Sequence, residues 1–231
     1  MIEIKDIKKV YNGTPVLNLP HIEISTNSSV GVVGNNGAGK TTMFRVLLDL
    51  ILANEGEVIL KDVPVKGRDE WKTFTGSFLD EGFLINFLTP DEYFQFVGGL
   101  YKLSPADIEL SLQRFDHIFN GEIRNQKKYI RDLSKGNQKK VGIAAAFLGH
   151  PEIIILDEPF ANLDPSTQIK LKKLLIDYKT ENAVTYLISS HDLTHVTEVC
   201  DRIILLEKGE VMKDIVTTPT TLQELQEYFQ Q

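Results

Sequence analysis

Three short segments have residue types and spacing suited to a phosphate-bearing substrate. The first is Gly34-Asn35-Asn36-Gly37-Ala38-Gly39-Lys40-Thr41, which runs Gly, four residues, Gly, Lys and a hydroxyl residue. Its glycines let backbone N–H groups curl around phosphate oxygens. A helix opening at the end of such a loop aims positive partial charge at the same point. Lys40 adds a full positive charge near the terminal phosphates. The Thr41 hydroxyl suits Mg²⁺, a hard ion that takes oxygen ligands. The second segment is Ile153-Ile154-Ile155-Leu156-Asp157-Glu158. Its apolar run reads as a central strand of a parallel sheet, and charge at a buried strand end is costly unless compensated. Mg²⁺ on Asp157 supplies that compensation. Neighbouring strand side chains face opposite ways, so Glu158 is free to polarise an attacking water as general base. Alone, the two acids read as solvated residues where a strand ends. The upstream phosphate loop tips the reading toward metal and base. The third segment is Leu133-Ser134-Lys135-Gly136-Asn137-Gln138. Ser134 caps a helix there, and the free N–H groups beside it make a second anion site.

These residues need elements to hold them. An apolar strand over 30–33 leads into the glycine loop, and a helical pattern follows over 41–52. Further strands are predicted around Ile2 and Ile4, over 16–24, 58–60, 74–78, 152–157, 183–189 and 202–207. Asn12-Gly13 and Lys208-Gly209 mark turns. Thr89-Pro90 and Ser104-Pro105 open helices over 90–101 and 105–118, each with an acid three residues after the cap. Helices are also predicted over 136–149, from Asp164-Pro165 to about 179, over 192–200 and over 218–231. Strand alternating with helix argues for an α/β protein with a parallel sheet. The polar helical stretch over 83–150 reads as an insertion in one unit spanning 1–231.

In this order the segments resemble the ATP-binding subunits of ABC transporters, and the resemblance runs the length of the chain. Leu133–Gln138 is similar to the family signature, usually LSGGQ, with Lys135 and Asn137 replacing Gly and Gln. Asn162-Leu163-Asp164 resembles the family's D-loop and His191 its switch histidine. Tyr11 stands where the family stacks an aromatic ring on adenine, although a Tyr beside a turn also serves in packing. Asp80 falls at the Q-loop glutamine position. A carboxylate there binds Mg²⁺ but repels phosphate, and Asp80 reads equally as a turn residue before Gly82.

The resemblance implies a P-loop NTPase core with a mostly parallel sheet, an N-terminal antiparallel β subdomain and an inserted helical subdomain. It implies that ATP contacts Tyr11, Gly34, Asn35, Asn36, Gly37, Ala38, Gly39, Lys40, Thr41 and Thr42. Ser134, Gly136 and Asn137 of a second subunit would close on the same ATP. Glu158, His191 and Lys40 would be catalytic, and Mg²⁺ would take Thr41, Asp157 and, as a further candidate, Asp80. The implied partners are a separate multi-span permease and a second ATP-binding subunit, at the cytoplasmic face of the membrane. The signature looks most like those of small bacterial exporters. Phe83, Phe87, Phe94 and Phe96 are candidates for the permease surface, or for core. The alternative is a non-transport ATPase of this type with soluble assembly partners.

Composition narrows the field further. Net charge is −7, from 25 Lys and Arg against 32 Asp and Glu. That argues against a nucleic-acid partner, because phosphate affinity needs surplus cations. The single cysteine, Cys200, excludes an intrachain disulfide. No apolar run reaches the length of a membrane span.

Overall fold

In the computed structural model, which describes residues 1–230, the chain starts as an antiparallel meander. Strand β1 (Ile2–Tyr11) pairs antiparallel with β2 (Thr14–Leu19) and with β3 (Ile22–Ile24). The hairpin between β1 and β2 turns on Asn12 and Gly13, both at positive φ, which matches strand twist in a two-residue turn. Strand β4 (Ser29–Val33) then enters the core and feeds helix α1 (Lys40–Leu47). Strands β5 (Glu55–Leu60) and β6 (Val63–Pro64) return to the meander, and β5 pairs with the free side of β1. Strand β7 (Thr75–Phe78) opens the far edge of the sheet.

The inserted stretch holds α2 (Pro90–Leu100), α3 (Pro105–Gln113), α4 (Asp116–Phe119) and α5 (Lys135–Ala145). Both predicted capping boxes form, at Thr89 with Glu92 and at Ser104 with Asp107. Strand β8 (Ile153–Leu156), α6 (Pro165–Asn182), β9 (Thr185–Ser190), α7 (Leu193–Val199) and β10 (Arg202–Glu207) complete the parallel core. Strand β11 (Glu210–Val216) and α8 (Thr221–Phe229) follow. The strand order is β6-β5-β1-β2-β11-β10-β4-β9-β8-β7, and β10, β4, β9, β8 and β7 run parallel.

Alternation on these strands splits the apolar interior in two. Ile153, Ile155, Leu187 and Ile204 face α1 and the antiparallel meander. Ile154, Leu156, Ile188 and Ile203 face the opposite layer, with α5, α6 and α7. Their neighbours on each strand point the other way because the strand period is two. A ring of aromatics links the inserted helices to this second layer. Phe147 meets Phe115 at 5.2 Å and Tyr178 at 4.9 Å, both edge to face.

Three predicted elements differ from the structure, and one strand has no predicted counterpart. Helix α1 stops at Leu47, because Asp49 turns left-handed (φ 52°) and its carboxylate accepts the Gly67 N–H at 3.2 Å. The helix over 105–118 is broken between α3 and α4, where Phe115 N–H tightens to Leu112 O. Helix α5 ends at Ala145, and Phe147 and Leu148 bond three residues back before Gly149 and His150 turn left-handed. Strand β11 was not predicted: its faces are alternately exposed and half-buried, so it lacks an apolar run. The last predicted helical residue, Gln231, lies outside the described residues.

Helix α6 starts with a pH-sensitive cap. Asp164 accepts from Thr167 Oγ1 at 2.6 Å, Ser166 Oγ at 2.7 Å and Thr167 N at 3.0 Å. Those bonds hold its carboxyl well below the usual range. A folded pKa below the unfolded one means this stabilisation is present above about 3.9 and is lost as pH falls through the folded value. An Asp164→Asn chain should therefore lose less stability than the parent between neutral pH and pH of about 3 in urea melts. Equal acid losses would show that the cap does not titrate in this way.

Candidate active site

The site forms where three adjacent parallel strands end. Strands β4, β9 and β8 are neighbours in register, with Val33 opposite Ser190 and Ile188 opposite Leu156. Their carboxyl ends deliver the glycine loop, His191 and the acid pair to one edge, the edge where open α/β sheets bind ligands. The loop needs its glycines. A Cβ on Gly34 would lie 2.3 Å from Leu206 O, and Gly39, the residue before α1, has φ 109°. The turn between β10 and β11 braces the loop, as Gly209 N–H donates to Ala38 O at 2.9 Å.

Lys40 is buried, and its ammonium curls back over the loop. Nζ donates to Gly34 O at 2.7 Å and to Asn35 O at 3.4 Å, and lies 3.6 Å from Glu158 Oε1. Thr41 Oγ1 donates to Asp157 Oδ2 at 2.6 Å, and Ser189 Oγ donates to Asp157 Oδ1. Burial pushes the Asp157 carboxyl up, against the bonds from Ser189 and Thr41 that lower it. Glu158 Oε2 accepts from His191 Nδ1 at 2.8 Å. Glu158 N–H donates to Ser189 Oγ at 2.9 Å.

A cleft of about 540 Å³ adjoins these groups. Tyr11, Pro15 and Val16 form one wall, loop residues 36–42 the floor, and Glu158 and Lys208 the remainder. The structure thus brings Tyr11 to the phosphate loop with its ring half exposed. Thr42 lies on that floor too. Ser134, Gly136 and Asn137 stand elsewhere, at the start of α5. Ser134 Oγ caps that helix by accepting Asn137 N–H at 3.2 Å. Gly136 packs on the segment after the acids, and a Cβ there would lie 2.9 Å from Asn162 O.

Asp80 does not join the Thr41–Asp157 pair. Its Oδ1 accepts Gly82 N–H at 2.7 Å, and its Oδ2 lies 3.9 Å from Arg45. It therefore takes the place of the turn residue before Gly82, the other role the sequence offered it. The short Asp side chain can reach its own turn, and that bond occupies it. Glu81 is the acid that points inward, with Oε1 buried and 3.8 Å from Lys139 Nζ. Phe94 is fully buried against Phe119, whereas Phe83, Phe87 and Phe96 are exposed.

Sequence reading missed three side chains here. Ser189 bonds both acids' segment, and its signal was a hydroxyl ending an apolar strand. Lys208 lines the cleft from a turn with no motif around it. Lys139 is buried and donates to Glu158 O at 2.8 Å. Burial lowers the Lys139 pKa, against the neighbouring acids, Glu81 first.

The donor set fits Mg²⁺. Thr41 and Asp157 offer converging oxygens, and Asp157 is a buried carboxylate beside only partial cationic compensation. Among the described residues no group of three or more His, Cys, Asp or Glu stands ready to hold a metal.

A parallel sheet, a phosphate loop at its carboxyl edge and two strand-end acids define a P-loop nucleoside-triphosphatase. The ABC transporter family model matches residues 17–161. The chain belongs to the ABC transporter family, and it spans less than two thirds of the length of the first curated relatives it matches. It is 30% identical to an uncharacterised ABC transporter ATP-binding protein of Synechocystis, over 92% of this chain and 62% of that protein. It is 31% identical to the bacitracin transport ATP-binding protein BcrA of Enterococcus faecalis, over 93% of this chain and 69% of that one. Among solved structures it is similar to a dimeric ATP-binding cassette in a post-hydrolysis state bound to ADP and Pi. The TM-score is 0.84 at 26% identity, covering 94% of this chain and 99% of that one.

Proposed function

We propose that this chain binds and hydrolyses Mg-ATP to power a separate membrane permease, paired with a second cassette. The observation that carries the reading is the convergence of Lys40, Thr41, Asp157, Glu158 and His191 on one edge of the sheet. The triphosphate lies in loop 34–41 with its charge on Lys40 and the α1 N-terminus. The adenine stacks on Tyr11, and Thr42 adds a contact at the loop's end. Thr41 and Asp157 would hold Mg²⁺, which when bound neutralises charge on the β- and γ-phosphates.

Glu158 takes a proton from water as its oxygen attacks the γ-phosphorus. The bond from that phosphorus to the bridging oxygen breaks, and ADP leaves with the charge. His191 holds Glu158 in place and reaches the γ-phosphate. Lys40 steadies the departing charge. Ser134, Gly136 and Asn137 stand apart from the cleft in their own chain. That separation supports a site completed by the second cassette's signature. ATP favours the closed pair, and hydrolysis removes the bridging group and favours opening.

No helix among the described residues is long and apolar enough to cross a membrane. In this reading the chain reaches the membrane through its permease, on the cytoplasmic face. The exposed Phe83, Phe87 and Phe96 of the inserted stretch are the surface offered to it. The single unit over 1–231, with the helical stretch over 83–150 as its signature subdomain, is part of the same reading. So is export, which rests on the resemblance of Leu133–Gln138 to exporter signatures.

The test is capture of partners from detergent-solubilised native membranes, using tagged Glu158→Gln chain with Mg-ATP and mass spectrometry. A co-eluting protein with several spans is expected, and its identity sets cargo and direction. Soluble partners only, or none, would overturn the transporter reading in favour of a non-transport ATPase.

A further inference from the structure

Glu158 has an uncommon backbone. Its φ is 48°, in the left-handed region that residues with a Cβ seldom occupy, and it precedes Pro159, which further restricts it. Such a conformer persists only where the surroundings hold it. Two side chains do so, from opposite sides. Ser189 Oγ, on β9 in the sheet, accepts the Glu158 N–H at 2.9 Å. Lys139 Nζ, on α5 in the inserted stretch, donates to the Glu158 carbonyl at 2.8 Å. The same ammonium lies 3.8 Å from Glu81 Oε1, in the turn after β7. That oxygen is buried and has no hydrogen-bond partner among the described residues.

We propose that Lys139 is a positioning residue for the general base, fixing the Glu158 peptide from helix α5 and tying it to the Glu81 turn. The inference rests on Glu158 being the base. A purely neutralising role for Lys139 toward Glu81 fits the geometry less well. The short bond goes to the Glu158 carbonyl, and the carboxylate stands beyond hydrogen-bond range. The arrangement has a mechanical consequence. Helix α5 begins with the signature, so a shift of α5 against the sheet moves Nζ relative to the Glu158 carbonyl. The carboxylate of Glu158 then changes its aim at the water. The inserted stretch thereby reaches the base of its own chain through one side chain, without touching the ATP bound by that chain.

The experiment compares steady-state turnover and ATP affinity in the purified chain for Lys139→Met, Lys139→Arg and Glu158→Gln, and for Lys139→Met combined with Glu158→Gln. Lys139→Met should lower kcat by about ten-fold or more while KM for ATP stays within about two-fold, since a misplaced group costs rate rather than ground-state binding. Lys139→Arg keeps donors at similar reach and should recover most of the rate. In the Glu158→Gln chain the Met change should add no further loss, because the two residues act as one unit. If Lys139→Met does not fold, as judged by thermal melts, Lys139→Gln is read by the same criteria. The proposal fails if turnover is unchanged, if rate and ATP affinity fall together, or if the two losses multiply. Parental turnover in Glu158→Gln alone would instead remove the base assignment on which the proposal rests.

Discussion

Glu158→Gln should lower steady-state ATP turnover by about 10² to 10⁴-fold while leaving ATP affinity within a few-fold of the parent. The amide has the same shape and can keep a hydrogen bond to His191, but it cannot accept a proton from water. The contacts that hold the nucleotide belong to other residues. In the proposed reading the loop amides, Lys40 and Thr41 take the phosphates and Tyr11 the base, and all of them line or adjoin one cleft. The loss should thus appear in kcat, as expected for an interaction made in the transition state. Phosphate release and ATP binding measured on the same preparation check it. Turnover at the parental rate would take the base role away from Glu158. A variant that lost ATP affinity as well would show that the carboxylate holds Lys40 in place, 3.6 Å away, rather than serving the water.

Gly76→Ala should cost about 3 kcal/mol and lower Tm by about 6 to 12 °C, the upper end of ordinary overpacking in a chain of this size. A Cβ at Gly76 would lie 1.8 Å from the Ala146 carbonyl oxygen. That neighbour is backbone and cannot rotate away. Strand β7 cannot yield either, because Gly76 pairs in register with Ile154 of the central sheet. The end of α5 must move, and the loss of packing there accompanies any loss of activity. A Cβ on Gly142 would meet the Phe78 ring at 2.2 Å, so the same strand and helix also touch one turn earlier. A thermal melt within about 2 °C of the parent would show that α5 can shift off the sheet at little cost.

Much of the site was legible because it depends on local geometry. A strand, a glycine loop and a helix in succession make an anion cradle wherever they fold, so Gly34–Thr41 announces its chemistry by spacing alone. The acids at the end of Ile153–Leu156 are legible for a similar reason. An apolar strand running into two carboxylates sets a charge problem whose usual solution is a metal. The capping boxes at Thr89 and Ser104 are also local, and both formed as read.

Other features depend on contacts between distant segments, and sequence carries little trace of them. Asp80 and Glu81 are adjacent acids with no pattern to rank them. The turn after β7 decided that Asp80 caps Gly82 while Glu81 points toward α5. Phe94 and Phe96 sit two apart in one helix, and only the packing against Phe119 settles which one is core.

By itself, then, the sequence determined the phosphate loop, the acid pair, the helix starts and the α/β alternation. Each follows from residue type and from spacing within one or two turns of backbone. The tertiary structure decided which strand ends meet, that Tyr11 walls the cleft, that Ser189 holds both acids' segment, and that Lys139 is buried at the Glu158 carbonyl. Those outcomes rest on the order of strands in the sheet and on close packing between α5 and β7. Residues far apart in the chain become neighbours there, and Lys139 is drawn inside by the polar groups waiting for it.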